Sequence, residues 1–419
     1  MDFDGTYDVA VIGGGPGGVC AALAAAKNGM KVLLAERYGF LGGMATAGLV
    51  NPFMACSTAG KRLSSEIFDQ ILQRLALENA LDDEGYVFDD EVLKSVLDNM
   101  VLEQKIDLLL HTTFLEAQTD GARIESVTLY NKSGIIKIRA GIYIDATGDG
   151  DLAASAGVPF EIGRPGDNAC QPMTLCFKVA GVDSSLNALQ LRDALTPILL
   201  EAKMRGDVDQ PREDVLVFET LQKGVFHFNT TRVTGKSGIC GFDLTKAEVE
   251  GRRQVFEVFR LFKDRFPGFS GASLIKTAAQ IGVRETRRIS GQYVISGEDV
   301  LEGRKFHDAI ARSCYPIDIH NPVGSGTVLK HLKEGDYYEI PYRSIVPCRV
   351  ENLLTGSRCI SSTHEAHSSL RIMPVVAAIG EAAGTAASIA VNDEVLPADI
   401  DGAVLKEMLL EEIPERSNL

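Results

Sequence analysis

Residues 8–37 read DVAVIGGGPGGVCAALAAAKNGMKVLLAER, and this stretch decides the fold. A β-forming run over residues 7–12 meets a burst of glycines. Residues 19–29 have the composition of a helix ended by Asn28-Gly29, and residues 31–35 form a second apolar run. The expected unit is strand, helix, parallel strand. Gly13, Gly15 and Gly18 make G-x-G-x-x-G at the first junction, with Pro16 and Gly17 inside the motif. Gly13 permits the tight turn, Gly15 lets backbone N–H groups approach a pyrophosphate, and Gly18 allows the helix to lie close on the strand. The helix N-terminus adds positive potential. Glu36 ends the second apolar run beside Arg37; its carboxylate can accept hydrogen bonds from a ribose and repels a 2′-phosphate. The stretch predicts a dinucleotide site.

The bulk properties set limits around that site. A chain of 419 residues is too long for one small core, so two domains are expected. With 45% hydrophobic and 24% charged residues it has the composition of a globular protein. A formal net charge of −15 argues against nucleic acid or an anionic membrane as partner, while leaving room for a local basic patch that binds an acidic substrate. The N-terminal MDFDGTYD is acidic and lacks the basic head and apolar core of a secretory leader, so a cytoplasmic location is expected. Residues 372–391 are long and apolar with a G-x-x-x-G at Gly380 and Gly384, but Glu381 sits mid-segment and alanine dominates leucine. That favours close packing inside the protein over a membrane span. The eight cysteines include no C-x-x-C, which fits free thiols in a reducing compartment and removes a redox dithiol from consideration.

Beyond the first unit, helices are expected over residues 61–78 and 90–104 and strands over 106–110, 112–118, 124–130 and 135–140, with turns at Asp120-Gly121 and Ser133-Gly134. These strands read as a small antiparallel meander set into a parallel-sheet domain. After Gly157 the pattern changes: helices over 187–205 and 245–266, the second opening on a Thr245…Glu248 capping box, alternate with strand-like pieces such as GVFHFNTTRV and ISGQYVIS. From about residue 352 strand, loop and small-residue helix return.

Three later segments carry chemistry. ERYGFLGGMATAGLVN (36–51) places Gly42, Gly43, Met44, Ala45 and Thr46 just after the acid, where small residues permit backbone contact with a long cofactor. YIDATGDGDLAA (143–154) is an apolar strand running into Ala146, Thr147, Gly148 and Asp149. Its acids suggest a calcium loop, but counting from Asp145 the twelfth position is Ala156 rather than the required glutamate, so no metal is expected. NLLTGSRCISSTHEAHSSLRIMPVVAAIGEAAGTAA (352–387) is a strand, a polar loop and a helix with Pro374 near its first turn.

Together these segments resemble the FAD-dependent oxidoreductases of the glutathione-reductase-like flavoprotein class, whose members carry the G-x-G-x-x-G, a GGMAT loop, an IDATGDGDLA strand and a C-terminal SLRxxP/GxAAGTAA helix. NTTRV (229–233), AEVEGRRQ (247–254), IGVRETRRISGQYVIS (281–296) and YPIDIH (315–320) extend the likeness nearly end to end. The resemblance implies FAD, redox chemistry and an α/β fold. That fold is a Rossmann-like FAD-binding domain with parallel sheet and β-meander, interrupted by an α+β substrate or cap domain. The boundaries expected are 1–160, 161–344 and 345–419, the first and last segments forming the FAD domain. The same resemblance implies that the C-terminal helix start faces the flavin. Only one complete G-x-G-x-x-G is present, so electrons pass between the flavin and a small polar substrate, oxygen or a diffusible carrier.

Hydride transfer with proton loss needs a base, for which histidine suits. His364 before the C-terminal helix and His320 at the end of YPIDIH, with Asp318 two residues earlier, are the candidates, and His227 and His367 are further histidines of interest. Arg371 can steady negative charge or hold a carboxylate, and Arg232, Arg284, Arg287 and Arg288 are either ion-paired or cavity-facing, in which case an oxyanion-bearing or polyhydroxylated substrate is implied. The function expected is a dehydrogenase or reductase. A flavin-dependent oxidase or monooxygenase and a non-catalytic flavin-binding relay or sensor are the alternatives.

Overall fold

The computed structural model describes residues 5–55 and 57–410; residues 1–4 of the acidic N-terminus and Cys56, one of the eight cysteines, lie outside the described residues. Strand Thr6–Ile12, helix Pro16–Lys27 and strand Val32–Ala35 form the βαβ unit, with Val9 paired in parallel to Val32. The helix begins at Pro16, three residues before its apolar stretch, because a first-turn proline forfeits no hydrogen bond. Across the sheet the parallel strands run Asp107–Leu109, Val32–Ala35, Thr6–Ile12, Gly134–Asp145, Leu353–Thr355. The loops that follow Ile12, Ala35, Asp145 and Thr355 are the four glycine-rich segments, and all leave the same carboxyl edge. That edge is where open α/β sheets bind ligands.

Gly134–Asp145 is one continuous strand where the pattern suggested two. Its first half pairs antiparallel with Arg123–Asn131, which pairs with Thr113–Asp120, and its second half enters the parallel sheet. Gly141 stays extended at the changeover, where a side chain would crowd the Asp8 carbonyl at 3.1 Å. The meander's Val127, Leu129 and Ile138 cover one sheet face beside Tyr7, Leu33 and Tyr143. The opposite face carries helices Pro16–Lys27, Glu66–Leu77, Asp90–Glu103 and Met373–Asn392. The helix expected from residue 61 starts later because residues 61–62 pair with Ser57–Thr58 instead.

The helix Met373–Asn392 is long and apolar enough to cross a membrane, yet nearly all of it is buried in this protein. Its two glycines explain the docking: a Cβ on Gly380 would fall 1.9 Å from the Gly17 carbonyl oxygen and one on Gly384 2.1 Å from that of Ala21. The helices therefore touch backbone to backbone, a spacing that no larger residue allows. Glu381 is buried but not idle, since its Oε2 accepts the Ile67 N–H at 3.0 Å and so caps the start of Glu66–Leu77.

A second core lies beneath an antiparallel sheet ordered Val217–Glu219, Val225–Phe228, Phe177–Ala180, Ser273–Thr277, backed by helices Ala188–Arg205 and Gly241–Arg265. Phe228 stacks on Phe177 at 5.0 Å and meets Phe269 edge-on at 6.1 Å. The long helix opens at Gly241, so the expected Thr245…Glu248 box does not form. Thr245 Oγ1 donates back to the Gly241 carbonyl at 2.8 Å, and Glu248 accepts the Ile281 N–H at 2.6 Å. The strand in the ISGQYVIS region is confined to Arg287–Ile289, paired with Phe160–Ile162.

Candidate active site

A cavity of about 550 Å³ follows the carboxyl edge of the parallel sheet and continues against the antiparallel sheet. Its size suits a small-molecule site. At one end Gly13 turns with φ +107°, and any Cβ there would strike the Ala146 carbonyl. Gly15 is the N-cap of Pro16–Lys27 and has no side chain to cap the helix, whose first N–H groups are left for a ligand. Glu36 is buried and accepts Gly14 N–H through Oε2 at 2.6 Å and Tyr38 N–H through Oε1 at 2.9 Å. Burial raises its pKa against those hydrogen bonds. Arg37 lies over the Tyr38 ring at 4.9 Å and donates to Gln280 Oε1 at 2.8 Å, giving this end a flat wall.

Gly43 and Met44 of the second segment reach the cavity. Gly42, Ala45 and Thr46 are buried behind it, contrary to their expected contact role. Thr46 Oγ1 donates to the Leu41 carbonyl at 2.7 Å, Gly42 N–H donates to the Gly14 carbonyl at 2.8 Å, and a Cβ on Gly43 would lie 2.7 Å from Gly15 Cα. The loop is small so that it can lock onto the first glycine turn. Ala146, Thr147, Gly148 and Asp149 line the cavity beside it. Asp145 beneath them is fully buried and accepts from Thr147 N, Thr147 Oγ1 and Ala153 N; burial pushes its pKa up to about 6. Asp149 takes Arg358 at 2.7 Å and Asp151 takes Arg287 at 2.7 Å. Among the described residues no group of three His, Cys, Asp or Glu is placed to hold a metal.

The far end gathers Tyr315, Asp318, His320, Arg371 and Arg284 with Ile372 and Met373, while Val376, one turn further along the helix, lies against Gly17 of the first glycine turn. Strand Ile317–His320 puts Asp318 and His320 on one face by its two-residue period. Tyr315 donates to Asp318 Oδ2 at 3.2 Å, and His320 Nε2 lies 3.5 Å and Arg371 3.6 Å from the same oxygen. Burial alone would raise the Asp318 pKa, but His320, Arg371 and Arg284 hold it well below the usual carboxylate range. His320 is pushed down to about 3 by burial and then by Arg284, so it is neutral. Its Nδ1 faces the Arg232 guanidinium at 3.4 Å and Thr327 Oγ1 at 3.2 Å. Arginine can only donate, so the ring proton sits on Nε2, toward Asp318. This takes both nitrogens of His320 out of base duty and makes it a support for Asp318.

Other expectations are corrected. The polar loop before helix Met373–Asn392 contains a short helix, His364–Leu370, with His364 buried off the cavity wall. His364 Nδ1 lies 2.8 Å from Glu285 Oε1, and that carboxylate also takes Arg288 at 2.8 Å and the Gln171 N–H at 3.0 Å, so it is locked inside the protein. Pro374 and Gly18 are buried structural residues behind the wall: Pro374 opens the helix, and a Cβ on Gly18 would lie 1.8 Å from the Gly13 carbonyl oxygen. His227 is buried with neither ring nitrogen hydrogen-bonded. The sequence reading missed Arg358, Arg212 and Tyr315. Arg358 was findable, as it follows the carboxyl end of a parallel strand; Arg212 sits in irregular chain with no local signal.

Comparison with known proteins bears on this arrangement. The family model for FAD dependent oxidoreductases matches residues 8–409. The chain belongs to the FAD-dependent oxidoreductase family. Digeranylgeranylglycerophospholipid reductase of Thermoplasma acidophilum is 29% identical over 159 residues, which are 34% of this chain and 39% of that one. A soluble pyridine nucleotide transhydrogenase of Mycobacterium tuberculosis is 31% identical over 135 residues, 29% of this chain and 28% of that one. The chain thus spans well under half the length of these curated relatives. Among solved structures, a geranylgeranyl bacteriochlorophyll reductase-like protein from Thermoplasma acidophilum aligns with 93% of this chain and 79% of its own at 14% identity and a TM-score of 0.47. For p-nitrophenol 4-monooxygenase from Pseudomonas putida the values are 96%, 83%, 12% and 0.49.

The cavity of this family member fits FAD on its own features. Gly15 is the decisive position: an added Cβ would meet no protein atom nearer than Gly43 Cα at 3.8 Å. Nothing within the protein demands a glycine there. A bare backbone at the mouth of an uncapped helix is what a pyrophosphate requires. The buried acceptor Glu36 and the flat Arg37–Tyr38 wall then suit an adenosine, and the small-residue trough between Gly43 and Ala146 suits the chain that joins it to a flavin.

Proposed function

We propose that this protein is an FAD-dependent dehydrogenase or reductase that moves a hydride between a small polar organic substrate and the flavin. FAD, when bound, supplies reversible hydride exchange. One observation carries the reading: the cavity is continuous from the nucleotide end at Glu36 to a polar pocket at Tyr315, Asp318 and Arg284, walled by the antiparallel-sheet body. A ligand in that pocket is therefore held against the far end of the same groove. Along that groove Gly13, Gly15 and Gly43 at the nucleotide end would seat the pyrophosphate, and Ile372 and Met373 would exclude water from the ring. Asp318, kept ionised by its cationic neighbours, orients the Tyr315 hydroxyl, which is the wall's proton-carrying group; His320 and Arg371 hold Asp318 in place. The partner that completes the cycle is a diffusible electron donor or acceptor. The seven described cysteines, all free thiols, support a reducing cytoplasmic setting.

The test is an anaerobic screen of hydroxy acids, amines and sugars against the yellow holoenzyme, read as loss of flavin absorbance. Substrate-dependent bleaching supports the proposal. Flavin that is bleached by none of the screened compounds, yet is reduced by a reduced protein carrier or a quinol, would make the protein an electron relay instead. Bleaching only by a reduced carrier, followed on admission of oxygen by its stoichiometric insertion into an organic compound, would make it a monooxygenase.

A further inference from the structure

We infer that the pocket beyond the flavin end recognises a carboxylate, with Arg284 as its binding group and Asn229 as its second donor; this rests on the groove holding FAD as proposed above. Charge pairing along this wall leads there. Asp214 serves both Arg192 at 2.8 Å and Arg212 at 3.0 Å, Glu213 is taken by the buried Arg232 at 3.0 Å, and Asp318 is shared by Arg371 and His320. Arg284 alone on this wall has no carboxylate partner among the described residues. Its NH1 donates to the Pro172 carbonyl at 2.6 Å and to Thr174 Oγ1 at 2.7 Å, which uses both of that nitrogen's hydrogens. NH2 has only a long contact with Asn229 Oδ1 at 3.4 Å, so donor capacity remains at the cavity.

A guanidinium withdrawn from water without a counter-ion is costly. Burial and then the neighbouring Arg371 and Arg212 lower the Arg284 pKa to about 9, and Asp318, beyond ion-pair distance, offsets them only in part. A substrate anion supplies what the protein does not. The pocket's geometry favours a planar carboxylate: one free guanidinium edge and the side-chain amide of Asn229 match two oxygens. Between its paired charges the wall also carries apolar Val50, Met54, Leu216, Phe218, Val283 and Leu329, which suit a short hydrocarbon part on the acid.

The probe is butanoate, titrated into oxidised holoenzyme and followed by flavin absorbance and by calorimetry, with methyl butanoate, butan-1-ol and n-butyl phosphate as comparisons. Butanoate is expected to bind saturably and at least about 10-fold more tightly than the ester or alcohol. Arg284→Gln should weaken butanoate by about 10- to 100-fold, while FAD occupancy and ester affinity stay unchanged. Arg284→Lys should recover part of the loss. Equal binding of acid and ester, tighter binding of butyl phosphate, or an Arg284→Gln variant with unaltered butanoate affinity would each overturn the assignment. Should Arg284→Gln lose flavin, Asn229→Asp tests the same subsite: it should abolish butanoate binding, and retention would overturn the proposal. Arg284-dependent butanoate binding with no compound ever bleaching the flavin keeps the subsite and removes the dehydrogenase reading. Bleaching by uncharged compounds at a rate indifferent to Arg284→Gln does the reverse.

Discussion

Replacing Gly15 with alanine separates a cofactor role from a structural one. The backbone there has φ −71°, open to any residue, and the new methyl would lie in ordinary contact with Gly43 Cα at 3.8 Å. The protein without flavin should therefore fold as before. A small gain from a stiffer unfolded chain opposes a small loss at the N-cap, leaving stability within about 1 kcal/mol. The methyl does project into the space where the pyrophosphate meets the helix N-terminus. Losing one or two charge-assisted hydrogen bonds, at about 1.5–3 kcal/mol each, raises the FAD dissociation constant by about 10- to 1,000-fold or more. The assay is thermal unfolding of deflavinated wild type and variant, followed by calorimetric titration with FAD. Wild-type affinity in Gly15→Ala would refute the placement of the pyrophosphate. A melting point lowered by many degrees in the deflavinated variant would show that the glycine serves packing after all.

Gly18→Ala should behave oppositely: its Cβ would fall 1.8 Å from the Gly13 carbonyl oxygen, so the deflavinated protein itself should lose about 1–3 kcal/mol or more, seen in urea unfolding. Asp145→Asn removes a buried charge but turns an amide N–H₂ toward a backbone donor, because Asp145 accepts on both oxygens; a net loss of about 1–3 kcal/mol is expected by thermal unfolding. Tyr315→Phe should keep its flavin and slow anaerobic flavin reduction by about 100-fold or more, measured by stopped flow. His227 and His320 are neutral in the fold with pKa values near 3, so the unfolded chain binds more protons between about pH 3 and 6.5 and stability falls as pH drops through that window. Asp145 works against this, since the fold retains a proton up to about pH 6 that the unfolded chain has released. His227→Leu should flatten the acid limb of a stability-versus-pH curve by up to about 1.4 kcal/mol per pH unit.

The nucleotide unit was legible because its constraints are local. Gly13, Gly15, Gly18 and Glu36 act within one βαβ turn, and their spacing alone states the geometry. Cavity-facing and packing roles were harder to divide. Gly42, Ala45, Thr46 and Pro374 have the small or rigid character of ligand-contact residues, yet the same character serves tight backbone docking, and only the partner across the gap tells the two apart. The histidines show a second limit. His364 has the sequence neighbourhood of an active-site base, but its fate depends on Glu285, which lies 79 positions away in the chain. Tyr315 was passed over because a tyrosine next to a proline carries no signal until Asp318 is placed against its hydroxyl. The capping box at Thr245 failed for a related reason: Ile281 claims the glutamate on which it depended.

The central claim is that four separate segments shape one groove for a whole dinucleotide, with the adenosine end at Glu36, Arg37 and Tyr38. Calorimetric titration of the deflavinated protein with FAD and with FMN tests it most directly. The account predicts one FAD per chain and FMN binding weaker by at least about 100-fold, since FMN leaves the adenosine end and one phosphate unfilled. Equal affinity for the two flavins, or a folded protein that takes up neither, would contradict it.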